Sequence, residues 1–256
     1  MGREVCRAVA DADGLELVAA IDPALAGIDV RQVAGVDVPG LHVAAGLEEL
    51  VRAGADVAVD FTVANAAVAN LRWCAEHGVH AVAGTSGISA SDLEDLGARF
   101  DASDANCVIA ANFAIGAELM TRFCELAAPF LDGVEIIELH HDGKLDAPSG
   151  TAVNTAERVA AARAASGTAW PAEATTTVVV DGARGGVGAG GIHLHSVRLR
   201  GLVAHQEVVF GAVGQSLTIR HDAYDRSSFM PGVLMAVRAV ASRPGMTVGL
   251  GPLLGF

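Results

Sequence analysis

Apolar residues run through this chain in two rhythms. In the first half, short apolar runs alternate with longer stretches in which apolar positions recur every three or four residues. Residues 15–22 (LELVAAID), 56–60 (DVAVD), 79–83 (VHAVA) and 107–111 (CVIAA) are short and predict buried strands. Residues 2–10, 47–53, 63–77 and 89–100 predict helices between them. Gly78 follows the third helix as a stop residue, and Ser89 or Ser91 can cap the fourth. Strands alternating with helices imply a parallel sheet of the doubly wound α/β type.

The second half changes rhythm. Residues 134–140 predict a strand and 151–164 a helix. Four strand-like runs then follow in a row, at 175–181, 192–199, 204–211 and 216–221, which predicts a mixed or antiparallel sheet. Glycines crowd residues 185–191 and predict a mobile loop. A phosphate cradle there would need a strand running directly into a helix, and none is predicted beside it. Residues 229–241 predict a helix that returns to the first domain.

Composition narrows the function. Apolar residues make up 52% of the chain and aromatics 4%, so Ala, Val, Leu and Gly fill the core, as in proteins with buried parallel strands. The net charge of −13 leaves no basic footprint for nucleic acid, and an anion site must be built locally. No apolar run is long enough to span a bilayer and no signal peptide is visible, which predicts a cytoplasmic protein without a membrane partner. Cys6, Cys74, Cys107 and Cys124 form no CxxC pair and read as buried free thiols.

In a doubly wound sheet, ligands sit beyond the carboxyl ends of the strands. Here those ends are Asp22, Asp60-Phe61-Thr62, Gly84-Thr85-Ser86-Gly87 and Ala110-Ala111-Asn112-Phe113. Asp22 can accept hydrogen bonds from ribose hydroxyls, the small residues let a flat ring approach the backbone, and Asn112 can donate or accept. Each alone is an ordinary turn; several in one sheet predict a nucleotide crevice. A dinucleotide fold opens with a strand and a G-x-G-x-x-G-like turn. This chain opens in a helix, and Gly2 can only be the last glycine of such a turn, so the cofactor expectation rests on the later strand ends.

The densest polar run is residues 138–152, ELHHDGKLDAPSGTA, which holds His140, His141, Lys144, Asp146, Ser149 and Thr151. It leaves a strand, turns through Pro148 and opens a helix near Thr151. Ser149, Gly150 and Thr151 thus present N–H groups and hydroxyls at a helix N-terminus, a site for an anion. Lys144 adds a full charge, and a histidine adds a group that protonates near neutrality. Together they suit a dicarboxylate that must also be protonated at carbon. Metal binding by His140, His141 and Asp146 is the weaker reading: neighbours on a strand point to opposite faces, and Lys144 would repel a cation. Taken singly, each of these residues could equally be a cap or a filler.

That run resembles the signature of the dihydrodipicolinate reductases. Asp60-Phe61-Thr62, Gly84-Thr85-Ser86-Gly87, the stretch from Ala110 to Gly116 and Arg226-Ser227-Ser228-Phe229 resemble the same family, and the similarity covers essentially the whole chain. The resemblance implies a Rossmann-like dinucleotide-binding domain of residues 1–113 with 224–256. It implies an α+β mixed-sheet domain of residues 114–223 for substrate binding and tetramerisation. It makes His140 and Lys144 catalytic, and His141, Ser149, Gly150 and Thr151 substrate-binding. Asp22, Gly84, Thr85, Ser86, Ala110, Ala111, Asn112 and Phe113 would hold NADH or NADPH. The implied reaction reduces 4-hydroxy-tetrahydrodipicolinate, after loss of water, to tetrahydrodipicolinate, a step toward diaminopimelate and lysine. Family members carry a first strand and glycine loop where this chain keeps Gly2, so the chain as given is expected to be N-terminally truncated. A degenerate relative that binds a dicarboxylate without redox chemistry is the other reading.

Overall fold

Helix α1 (Gly2–Asp11) places Val5 and Val9 one turn apart on one face, and both are buried. The computed structural model describes residues 1–256. Two short helices follow, α2 (Val30–Ala34) and α3 (Glu48–Arg52). The alternation then becomes regular: β1 (Val57–Asp60), α4 (Ala64–His77), β2 (His80–Ala83), α5 (Ala90–Asp101) and β3 (Cys107–Ile109). Gly78 ends α4 at φ 71°, a left-handed backbone that glycine adopts without steric penalty. Ser89 caps α5 by accepting a hydrogen bond from the Asp92 N–H at 3.1 Å.

The chain continues through α6 (Ile115–Ala127), β4 (Gly133–His140), α7 (Gly150–Ala165), β5 (Gly186–Val187), β6 (His193–Arg198), β7 (Ala204–Ala212) and β8 (Gln215–Ala223). It closes with α8 (Met230–Val240), β9 (Met246–Val248) and α9 (Gly251–Leu254). Two compact units result. One comprises Met1–Ile115 with Arg226–Phe256, the other Gly116–Asp225.

In the first unit, β1, β2, β3 and β9 form a parallel sheet in that order. Its two faces are buried separately, as parallel strands demand. Ala81, Ala83, Cys107 and Ile109 share a core with Leu71, Leu96 and Phe100 of α4 and α5. Val82 and Val108, of opposite parity, pack with Val5 and Val9 of α1 and with Val233 and Ala236 of α8. Gly232 lets α8 approach closely: a Cβ there would lie 2.1 Å from the Phe113 carbonyl oxygen.

In the second unit, the sheet runs β5-β6-β4-β7-β8, with β4 parallel to β6 and antiparallel to β7. One face carries Ile136, Leu194, Val208 and Phe210 against Met120 and Cys124 of α6 and Ala152, Ala156 and Val159 of α7. Arg163 anchors the far end of α7, donating to the carbonyls of Ala128, Leu131 and Ala169 and stacking on Trp170.

Three expectations are corrected. Residues 15–22 form no ladder, with Ile21 bridging to Ala44 alone, because no strand of the parallel sheet pairs with them. Residues 175–181 are exposed and unpaired: Thr and Val favour strands only where a half-buried pleated surface is offered. Residues 185–191 are not simply a loop, since β5 pairs with β6 and a short 3-10 turn follows. Helix α6 and strand β9 were not anticipated at all.

Candidate active site

Strand parity concentrates the chemistry at one end of β4. Every second side chain faces α7: Ile136 lies in the apolar core, while Glu138 and His140 follow where the core gives way to polar groups. Across the ladder His140 stands beside Arg198 of β6, and Glu138 beside Ser196 and Gln206.

Glu138 is fully buried. Its Oε2 accepts from His140 Nδ1 at 2.5 Å and from Arg198 NH1 at 2.8 Å. Its Oε1 accepts from Arg198 NH2 at 2.7 Å and from the Ser149 backbone N–H at 3.2 Å. Burial alone would raise this carboxyl's pKa, but the hydrogen bonds from Arg198, Ser196 and His140 outweigh it and hold the group below its ordinary range. Burial pushes the His140 imidazole below its usual value, and the bond to Glu138 only partly offsets this.

Beyond β4 the chain turns. His141 is exposed, and its carbonyl accepts from the Lys144 N–H. The Lys144 ammonium meets both oxygens of Asp146, at 2.8 and 2.9 Å. Lys144 holds Asp146 below the ordinary carboxylate range. Arg198 NH2 also donates to the Asp146 carbonyl, so one guanidinium ties this turn to Glu138. After a cis Ala147–Pro148 peptide, Ser149 caps α7 by accepting from the Ala152 N–H at 3.2 Å. Gly150 begins the helix, and a Cβ there would meet nothing within 4 Å, so its backbone borders open space. The structure therefore brings His140, Lys144, Ser149, Gly150 and Thr151 onto one short path. The sequence reading passed over Glu138 and Arg198 as site residues. The available signal was an acid two residues before a histidine within a buried strand, and an arginine inside the apolar run 192–199.

The first unit gathers the other candidates at the carboxyl ends of its strands. Asp60 closes β1: its Oδ1 accepts from the Thr62 N–H and hydroxyl, both at 2.8 Å, and its Oδ2 from Asn70 at 2.7 Å. Thr85, buried, donates to the Thr62 carbonyl at 3.2 Å. Gly84 lies under Phe61: a Cβ there would sit 2.0 Å from the ring. Phe61 in turn packs on Phe113, with centroids 5.9 Å apart. Ala110 and Phe113 are buried, so their side chains are spent on packing, while Asn112 Oδ1 accepts from the Ala114 N–H at 2.8 Å. Asp22 Oδ1 accepts from the Ala24 N–H at 2.9 Å, and no cation pairs with this carboxylate. Asp22 retains acceptor capacity of the kind a ribose diol needs, and the small residues at the strand ends suit a flat ring, so these residues fit a nicotinamide dinucleotide.

Residues 1–113 match the family described as dihydrodipicolinate reductase, N-terminus, and residues 116–254 match dihydrodipicolinate reductase, C-terminus. A 4-hydroxy-tetrahydrodipicolinate reductase of Nocardia farcinica is 49% identical over 99% of this chain and 94% of its own length. The enzyme of that name from Cutibacterium acnes is 47% identical over 100% and 95%. Among solved structures, a dipicolinate-bound dihydrodipicolinate reductase from Paenisporosarcina sp. TG-14 superposes with a TM-score of 0.84 at 37% identity, covering 98% of this chain and 94% of that one. Matched in both halves and similar nearly end to end, the chain belongs to the dihydrodipicolinate reductase family.

Proposed function

We propose that this chain reduces 4-hydroxy-tetrahydrodipicolinate to tetrahydrodipicolinate with NADH or NADPH, in the cytoplasm, as a step toward diaminopimelate and lysine. The observation that carries the reading is the convergence of His140, Lys144 and the open N-terminus of α7 at the end of β4. A bound dicarboxylate presents two negative charges. The N–H groups opening α7, the Thr151 hydroxyl and His141 receive one carboxylate, and Lys144 the other.

Lys144 is held for this by an exchangeable partner. Its pair with Asp146 lies near the surface, where such a pair is worth about 0.2–1 kcal/mol, so a substrate carboxylate can take the ammonium over. His140 and Lys144 then deliver a proton to the ring carbon beside the one reduced. A reduced nicotinamide held by the first unit would supply the hydride. Asp22 would hold the adenine ribose, and Gly84, Thr85, Ser86, Ala110, Ala111, Asn112 and Phe113 would line the ring's site. The first unit is thus the dinucleotide-binding domain and the second the substrate domain.

The second unit also supports assembly into a homotetramer. Strand β8 is a nine-residue sheet edge whose first four residues are exposed, and exposed Val213 and Leu217 lie on or beside it. A long open edge of this kind is normally covered.

The deciding experiment mixes the purified chain with reduced nicotinamide cofactor and freshly generated 4-hydroxy-tetrahydrodipicolinate. Substrate-dependent loss of cofactor absorbance is expected. No turnover with either cofactor, alongside intact dipicolinate binding, would leave a binding protein without redox activity.

A further inference from the structure

Glu138 is the one fully buried carboxylate of the second unit, and each of its oxygens accepts two of four close hydrogen bonds, beside a further one from the Ser196 side chain. Two of the four close donors belong to Arg198, one to the backbone that opens α7, and one to the ring of His140. Since Glu138 can only accept, the His140 nitrogen facing it must carry the hydrogen. In the neutral imidazole the proton therefore sits on Nδ1, and Nε2 is left as the group that exchanges a proton with a ligand.

We propose that Glu138 is the positioning residue of this site: it fixes the tautomer and orientation of His140 and, through Ser149, the start of the anion-binding helix. Arg198 completes the device. Its guanidinium neutralises Glu138 through two parallel bonds and holds the Asp146 carbonyl, which sets the turn that carries Lys144. One buried ion pair thus registers the proton-exchanging histidine, the charged lysine turn and the helix N-terminus. This inference rests on the reductase reading above for its catalytic meaning, though not for its geometry.

A glutamine at 138 has the same shape but the wrong hydrogen-bonding character. Its amide nitrogen would face two donors, and the ring of His140 would lose either its acceptor or its orientation. The charged groups facing His140 are Glu138 on its own strand, Arg198 from β6 and Lys144 from the following turn. Of these only Glu138 favours the protonated ring, so its loss moves the His140 titration to lower pH.

Two measurements test the proposal. In the wild-type protein, ¹⁵N NMR of histidine-labelled chain, with His140 assigned from H140Q, is expected to show the Nδ1–H tautomer above the ring's titration. An Nε2–H tautomer would overturn the proposal whatever the enzyme turns over. In kinetics, Glu138→Gln is expected to lower kcat by at least tenfold, and by at most about 10⁴-fold, the loss when a catalytic histidine is left in the wrong tautomer. The pH-profile limb that H140Q abolishes should move to lower pH, and because part of the effect of Glu138 passes through His140, E138Q should cost less turnover within the H140Q background than in the wild type. A residue that merely stabilises the fold would leave that limb unmoved and multiply the losses, which would overturn the proposal. Should E138Q fail to fold, the tautomer measurement decides. Absence of turnover in the wild type would count against the reductase reading alone.

Discussion

Replacing Lys144 by alanine separates chemistry from stability. The ammonium meets both oxygens of Asp146, at 2.8 and 2.9 Å, with the Asp146 side chain 61% exposed. Two unit charges about 4 Å apart in a near-aqueous dielectric attract by about 1 kcal/mol, and side-chain entropy offsets part of that. For a protein of this size, about 1 kcal/mol moves Tm by roughly 2–4 °C, so thermal stability should change by no more than that. Turnover should change far more. Removing a positioned acid lowers kcat by about 10²–10⁴-fold, or about 2.7–5.4 kcal/mol of barrier. The assay is steady-state cofactor oxidation at saturating NADH, with Tm and NADH affinity measured on the same preparation. NADH affinity should persist, because the candidate cofactor residues belong to the other unit. Near-normal turnover in the variant would refute the role given to Lys144. So would a loss of activity that follows a large fall in Tm.

Cofactor choice follows from Asp22, whose carboxylate has no cationic partner and is followed by Pro23. It should repel a 2′-phosphate, so kcat/KM with NADH should be at least that with NADPH, and a clear NADPH preference would show otherwise. Gly232→Ala would push a methyl to 2.1 Å from the Phe113 carbonyl oxygen, a backbone atom that cannot swing aside. Overpacking of this kind costs about 1–3 kcal/mol, so urea denaturation should show a lower midpoint and an unchanged one would contradict the packing. Stability should also fall in acid. Glu125, Glu135 and Glu138 are held below their ordinary value of 4.5, so the unfolded chain binds their protons first. Their contribution is complete above that value and is lost as pH falls through the depressed folded values. Urea melts from pH 6 downward should decline from about pH 4.5, and a flat profile there would refute the sign.

Where a segment buries its apolar side chains in a regular period, its sequence alone locates it. Residues 204–211 alternate inward and outward and became β7, and residues 151–164 became the body of α7. The failures have physical causes. Residues 175–181 have the β-branched content of a strand, but a strand exists only with a partner, and none is adjacent. Helix α6 buries Ala117, Met120, Thr121 and Cys124 at helical spacing, a period that was present and went unread. Strand β9, three residues long, has too few positions to show any period. At the site, His140, Lys144 and Ser149 were legible because they cluster in sequence. Arg198 lies 60 residues from Glu138, and only the parallel register of β4 with β6 brings them together. The burial of Glu138 is likewise a property of the assembled sheet.

The order of the strands has a consequence for how the protein is made. The outermost partner of β3 is β9, and the helix covering Val82 and Val108 is α8, both from the final stretch of the chain. Residues 116–225 emerge from the ribosome as one uninterrupted segment and can collapse as soon as they are clear of it. The N-terminal unit has no such independence. Until about the last thirty residues arrive, β3 lacks its β9 partner and one apolar face lies bare, a template for association with another nascent chain. The half of the molecule translated first is therefore the half completed last, and its exposure time during synthesis is set by the length of the segment inserted within it.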